Sequence, residues 1–307
     1  MWFKNLRLYR LLKPFNLDEA ELNELLQTAA FRHCGSHEPS SLGWSSPLGR
    51  GSEQLSHELS DCMMICARQE DKLLPAAVVN ETLDEKAEVI ETEEARKLSR
   101  RERSDLRDEI IFQLLPKAFA RSSRTFAMID KQNGWILVDA SSATRAEALI
   151  ELLRESLGSL PVRPFEVNLA PASVLTEWLA QADKYNDFIL MDSCELRDTA
   201  EEGGVVRCRG QDLESDEIQV HLTAGKQVVK LAVEWDERLS CMIESDFSLK
   251  RIKFLDILQE EAADAQTEDE IAQLDVIFSL MSLEFRRLIP RMLELFGGLA
   301  SAAEEGK

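Results

Sequence analysis

No apolar run in this 307-residue chain approaches the roughly 18 residues that a membrane-crossing helix needs; the longest are short stretches such as Cys62 to Ala67. The first twelve residues set Lys4, Arg7 and Arg10 among apolar neighbours, with no separate apolar core and no small-residue cleavage site. No secretory leader is therefore expected, and cytoplasmic residence is the default. Six cysteines are scattered without the paired two-residue spacings that build zinc sites, so reduced core thiols are expected; Cys62 and Cys66, four apart, would share one strand face. The four histidines (His33, His37, His57, His221) form no ligand set. With two tyrosines, and phenylalanines embedded in core-like patterns, the aromatic interleaving that stacks single-stranded bases is thin.

Catalytic signatures are equally scarce. Gly225-Lys226 lacks the upstream glycine and the following Ser/Thr of a phosphate loop, because Val220 and Gln227 stand there. Asp236 and Glu237 are neighbours, which in a strand would point to opposite faces and form no acid/base pair. No nucleophile has a local partner. The expectation is a protein without enzymatic activity, catalytic residue, metal or cofactor.

Charge is what the chain has in plenty, and it is unevenly spread. With 36 Lys/Arg against 56 Asp/Glu the net charge is −20, yet residues 96–124 hold nine cations (Arg96, Lys97, Arg100, Arg101, Arg103, Arg107, Lys117, Arg121, Arg124) against four acids. A globally acidic protein is repelled by a polyanion, whereas a concentrated basic face can still track phosphates if the acidic surface points elsewhere. If a helix from Ala76 continues, Arg96, Arg100, Arg103 and Arg107 fall within about 60° on one face; a break near Ser104 is the other possibility. Guanidinium groups in such a stripe can contact successive phosphates, but they could equally be solvated or paired with Glu91, Glu93 and Glu94. A second cluster gathers Lys250, Arg251 and Lys253 with Lys226 and Lys230. If Lys250 and Arg251 lie in a strand they point oppositely, so unless both faces are solvated one of them needs a partner. Duplex backbone contact is the ligand that these residues favour.

The periodicities divide the chain. A strand over 3–12 precedes a helix capped by Asn16 or Asp18, then a glycine-rich loop over 35–51 and a strand from His57 to Arg68 interrupted near Ser60. Residues 76–94, with seven acids and no Gly or Pro, read as helix, and the helical excursion ends near Pro116. Strands at 125–130 and 135–139 flank Asn133-Gly134, and a helix over 142–157 stops at Gly158. Beyond Pro161 and Pro164 come a helix over 172–181, strands at 188–192 and 205–209, a helix behind Ser215, strands at 228–234, 239–244 and 249–254, and two acidic helices over 254–265 and 268–296.

The runs Trp2 to Leu6, Ile65 to Arg68, Leu114 to Phe119, Leu157 to Pro161, Thr176 to Trp178, Gly203 to Arg207, Gly225-Lys226 through Trp235 and Ser248 to Phe254 closely resemble, in order and spacing, the bacterial recombination-associated RdgC family. The resemblance implies an α+β fold: a horseshoe-shaped subunit with a central α+β domain (1–75 and 119–165), a helical tip insertion (76–118) and a second α+β base domain (166–307). It implies a ring-shaped homodimer that encircles double-stranded DNA without sequence preference, is nucleoid-associated, and restrains the RecA recombinase by limiting access to DNA. Phe119 matches the aromatic at the tip contact between subunits. Arg207 and Arg209 fall in a basic turn of the base, although Gly210 leaves one charge fewer than the family tends to carry. The alternative is inhibition by direct contact with the recombinase through the acidic C-terminal helices.

Overall fold

The computed structural model describes residues 1–49, 51–181, 187–200, 203–265 and 269–300. Its secondary structure is mixed α and β, organised on two antiparallel sheets. In the first, β1 (Arg7–Leu11), β2 (Ser40–Trp44), β3 (Ser56–Leu59), β4 (Cys62–Leu73), β5 (Phe119–Asp130), β6 (Trp135–Val138) and β7 (Val162–Pro164) lie in the order β2-β4-β5-β6-β1-β7, with β3 also on β4. Both faces are covered, which explains why β4 begins as an unbroken apolar run. Met63, Ile65 and Ala67 join one core with α1 (Glu19–Gln27), while Cys62, Met64 and Cys66 join another. α1 is fixed by an Asp18–Glu21 capping box.

Between β4 and β5 the chain leaves the sheet as α2 (Ala76–Glu94) and α3 (Arg100–Leu114), a pair held by Val79, Leu83 and Ile110. The helix does not continue through the arginines, and it does not break at Ser104. Ala95 takes a left-handed conformation (φ 52°), and Ser99 caps α3 by a reciprocal box with Glu102. α4 (Ala143–Leu157) follows, capped by Ser142 and stopped by left-handed Gly158.

The second sheet has the order β12-β11-β10-β8-β9, built from β8 (Phe188–Arg197), β9 (Val205–Arg209), β10 (Gln227–Trp235), β11 (Leu239–Glu244) and β12 (Leu249–Phe254). Its helices are α5 (Pro171–Ala180), α6 (Asp216–Thr223), α7 (Asp256–Asp264) and α8 (Glu270–Leu295). The two sheets meet where Leu6 and Leu249 exchange backbone hydrogen bonds of 2.7 and 3.1 Å.

Several expectations need correction. Ser40 to Trp44, expected as loop, is strand β2; Gly43 permits it, because a Cβ there would meet the Phe31 Cα at 2.6 Å. The interruption expected near Ser60 is present, by contrast: β3 and β4 flank Ser60-Asp61, both left-handed, a two-residue hairpin turn. Asp236 and Glu237 are not strand residues but the left-handed centre of the β10–β11 turn. Ser215 precedes α6 without a capping hydrogen bond. β8 runs five residues beyond the expected strand end.

α8 ties the sheets together. Phe278, Met281, Phe285, Leu288, Ile289 and Met292 enter the core shared by Cys62, Met64 and Met128 of the first sheet and Leu231, Val233 and Ile243 of the second. Arg286 donates two bonds, of 2.8 and 3.0 Å, to Asp130, whose side chain is nearly inaccessible. Burial alone would raise the Asp130 carboxyl, but the bonds from Arg286 and Asn133 hold it below its ordinary value. Arg286→Ala strands that carboxylate; a loss of about 3–5 kcal/mol in unfolding free energy is expected from urea titration at neutral pH.

Candidate nucleic-acid interface

The second sheet turns one face to the core and leaves the other to charged side chains. Inward Cys194, Cys208, Leu231 and Ile243 alternate with outward Glu195, Arg207, Lys230 and Glu244, and register sets these four directly opposite one another across β9, β8, β10 and β11. The signs alternate along that row. Glu195 accepts from Arg207 Nε at 2.9 Å and Arg197 at 2.7 Å, with Lys230 Nζ at 3.8 Å; Lys230 lies 3.3 Å from Glu244. Burial pushes the Glu195 carboxyl up, but hydrogen bonds from Arg207 and Arg197 and the Lys230 charge outweigh it, so the net shift is downward.

Beside this row stand the remaining cations of the cluster. Lys250 is buried and donates to the Ser141 carbonyl, which is the partner its strand position demands; burial, aided by Arg7, pulls its pKa down. Arg251 takes a left-handed conformation (φ 52°) and is exposed, where β12 departs from regular register with β11. Arg207, Arg209, Lys230, Lys250 and Arg251 together line a cavity of about 80 Å³. Arg209, Arg251 and Lys253 make no side-chain hydrogen bond or ion pair with any described residue, and Lys253 lies opposite Ser240 on β11. Lys226 stands apart, 3.5 Å from Asp198. Glu195 and Glu244 are the row's two carboxylates and Glu234 lies in the row of Ser240 and Lys253, so the cations named on this face outnumber these carboxylates.

In the excursion the stripe comes apart. Arg96 lies in the break and pairs with Glu94 at 2.7 Å and Glu102 at 2.6 Å; Lys97 pairs with Glu91 at 2.6 Å. Arg103 pairs with Asp84, and Arg107 donates to Asn80 at 2.7 Å, so this side of α3 is turned onto α2. Arg100, Arg101, Lys117, Arg121 and Arg124 are exposed and have no such partner among the described residues. Arg124 lies directly opposite Arg68, which stacks over Phe31 at 4.2 Å and donates to Ser122. Arg68 and Arg197 escaped sequence reasoning. Arg68 becomes part of the basic surface only through the β4–β5 pairing, whereas Arg197 follows Glu195 by two residues in a strand that was cut short at Asp192.

A family model described as "Putative exonuclease, RdgC" matches residues 1–299. The chain belongs to the RdgC family. The recombination-associated protein RdgC of Pseudomonas aeruginosa (strain ATCC 15692) is 46% identical over 299 residues, 97% of this chain and 98% of that protein. Its counterpart in Tolumonas auensis is 43% identical over 298 residues, 97% and 99%. Both relatives are named as recombination-associated proteins. The family description names an exonuclease, whereas the names of these relatives carry no catalytic activity. Among the described residues no three His, Cys, Asp or Glu side chains gather as a metal site, and no helix is long and apolar enough to cross a membrane.

The Glu195 pairings yield a pH signature. Because its folded pKa lies below the ordinary 4.5, Glu195 adds stability that is full above that value and is lost as pH falls through the folded pKa. Glu195→Gln is expected to flatten this part of the acid limb, read as urea midpoints between pH 6 and pH 3.

Proposed function

We propose that this chain is a non-enzymatic protein that binds double-stranded DNA through its phosphates without sequence preference, and that it lowers recombinase activity by limiting access to DNA. The observation that carries this reading is the outward face of the second sheet, where Arg209, Arg251 and Lys253 stand without an ion pair among the described residues beside the Arg207–Lys230 row. Arginine and lysine side chains projecting from a rigid sheet contact phosphate oxygens, which carry no base information. The free Arg100, Arg101, Arg121 and Arg124 extend the surface along the stem and helices of the excursion.

The ring is what the family resemblance implies, and one structural feature supports it. Phe119 is 83% exposed, directly opposite Leu73, itself 45% exposed, and Val78 is also exposed nearby in sequence. Such a patch at the base of a helical excursion suits a symmetric contact with a second copy. In this reading residues 76–118 form the tip of a horseshoe, 1–75 with 119–165 its centre and 166–307 its base. The dimer's basic surfaces line the hole, and its acidic surfaces discourage off-target phosphate contact. The RecA recombinase is the antagonist that the family implies. Direct contact through the acidic helices is the competing mechanism, favoured by Ile257 and Ile271, which are exposed beside Asp256 and Glu270.

Replacing Arg209, Arg251 and Lys253 together by Ala is expected to weaken two unrelated labelled duplexes equally in anisotropy titrations. The log–log salt slope should shrink by about 0.9 for each phosphate that is no longer neutralised. Unequal effects on the two duplexes would contradict backbone binding. If this variant still restrains strand exchange by the recombinase, direct protein contact is the mechanism. Phe119→Ala is expected to shift sedimentation toward monomer while leaving the thermal midpoint of the subunit nearly unchanged.

A further inference from the structure

Outside these clusters, Arg10 on β1 lies directly opposite Arg163 on β7. Each is two residues from a member of the core shared by the sheets, Leu8 and Phe165 respectively, so alternation puts both guanidinium groups on the same sheet face, at its edge. Register extends the row inward: Asp130, Trp135, Arg10 and Arg163 stand opposite one another across β5, β6, β1 and β7. The row's carboxylate is already committed, since Asp130 is bonded by Arg286 and Asn133. Trp135, buried edge-on to Phe165 at 6.0 Å, offers no counter-charge. Neither Arg10 nor Arg163 makes a side-chain hydrogen bond or ion pair with a described residue.

Like charges directly opposite on paired strands are destabilising. Where the same juxtaposition occurs at Arg68 and Arg124, Arg68 is relieved by the Phe31 ring and the Ser122 hydroxyl. Arg10 and Arg163 have no such relief, although Arg10 is half-buried. Their opposition is the arrangement in which two planar donors can share the oxygens of one tetrahedral anion, turning mutual repulsion into joint attraction.

We infer that Arg10 and Arg163 form a phosphate-binding site at the β1–β7 edge, which takes a phosphodiester of bound duplex at a position separate from the second sheet. The source of the phosphate rests on the duplex binding proposed above; the two-arginine site itself does not. A three-residue edge strand carrying Arg163 and Pro164 would also resist edge-to-edge pairing, and that role alone would leave anions unbound.

The test compares the full chain with the pair Arg10→Gln/Arg163→Gln and the pair Arg10→Lys/Arg163→Lys. In duplex anisotropy at about 0.1 M salt, the Gln pair is expected to lose roughly fivefold to tenfold in affinity and about 0.9 in salt slope, while the Lys pair keeps the slope. Inorganic phosphate should raise the thermal midpoint of the wild type more than that of the Gln pair. Wild-type affinity and slope in a folded Gln pair would overturn the inference and leave Arg163 as an edge guard. If the wild type binds no duplex, the proposed function fails; a phosphate-dependent midpoint rise confined to the wild type would then sustain the site with free phosphate as its ligand, and no such rise would overturn it.

Discussion

Helix α8 presents one apolar face to a core that both sheets need. Phe285 shows the constraint in a single side chain: it meets Phe3 from the N-terminal segment, with ring centroids 6.3 Å apart, and Phe254 from β12 at 5.8 Å. Charged anchors fix where along the sheets this face docks. Arg286 reaches Asp130 of the first sheet, while Glu284 accepts from Arg238, which stands beside the second. Buried ion pairs contribute little net stability, but a pair that is broken on one side leaves an uncompensated charge, so they exclude displaced packings more than they strengthen the correct one. Register between the sheets therefore depends on a helix far along the chain from the strands it positions.

That dependence decides where positive charge can stand free. In the excursion, local acids are close enough in sequence to find the arginines: Glu91, Glu94 and Glu102 take Lys97 and Arg96, and Asp84 takes Arg103. In the second sheet, alternation confines carboxylates to particular rows, and Glu195 and Glu244 fall into the row with Arg207 and Lys230. Arg209, Arg251 and Lys253 fall beside it without an ion pair among the described residues, the carboxylate in the Lys253 row being Glu234, two strands away. Charge density along the sequence favours the excursion; pairing geometry moves the weight to the sheet.

Most of the elements were legible because their signals are local. The acid-rich run 76–94, the Asn133-Gly134 hairpin and the Gly158 stop follow from propensity and turn chemistry within a few residues. β2 was not legible, since a strand containing Ser40, Ser41 and Gly43 makes sense only once the Phe31 backbone is seen packed against it. The helix break was misplaced because Ser99 and Ser104 both resemble caps, and only Ser99 has a Glu three residues on to close the box. The site was half legible. Strand alternation sets adjacent Lys250 and Arg251 apart and asks for a partner wherever a face is not solvated; the Ser141 carbonyl is that partner for buried Lys250.

The same geometry bears on how a chain of net charge −20 could hold a polyanion at all. Beyond a Debye length of about 8 Å at physiological salt, the acidic surface contributes little to the potential at a given phosphate. What matters is whether a cation within reach has already been neutralised by its own neighbours. Arg96, bonded on both sides, would have to exchange protein carboxylates for phosphate with little net gain; Arg209, and the opposed Arg10 and Arg163, give up only water and counterions. Free cations held apart on rigid strands are thus worth more to a phosphate-binding surface than a larger number on helices that pair among themselves.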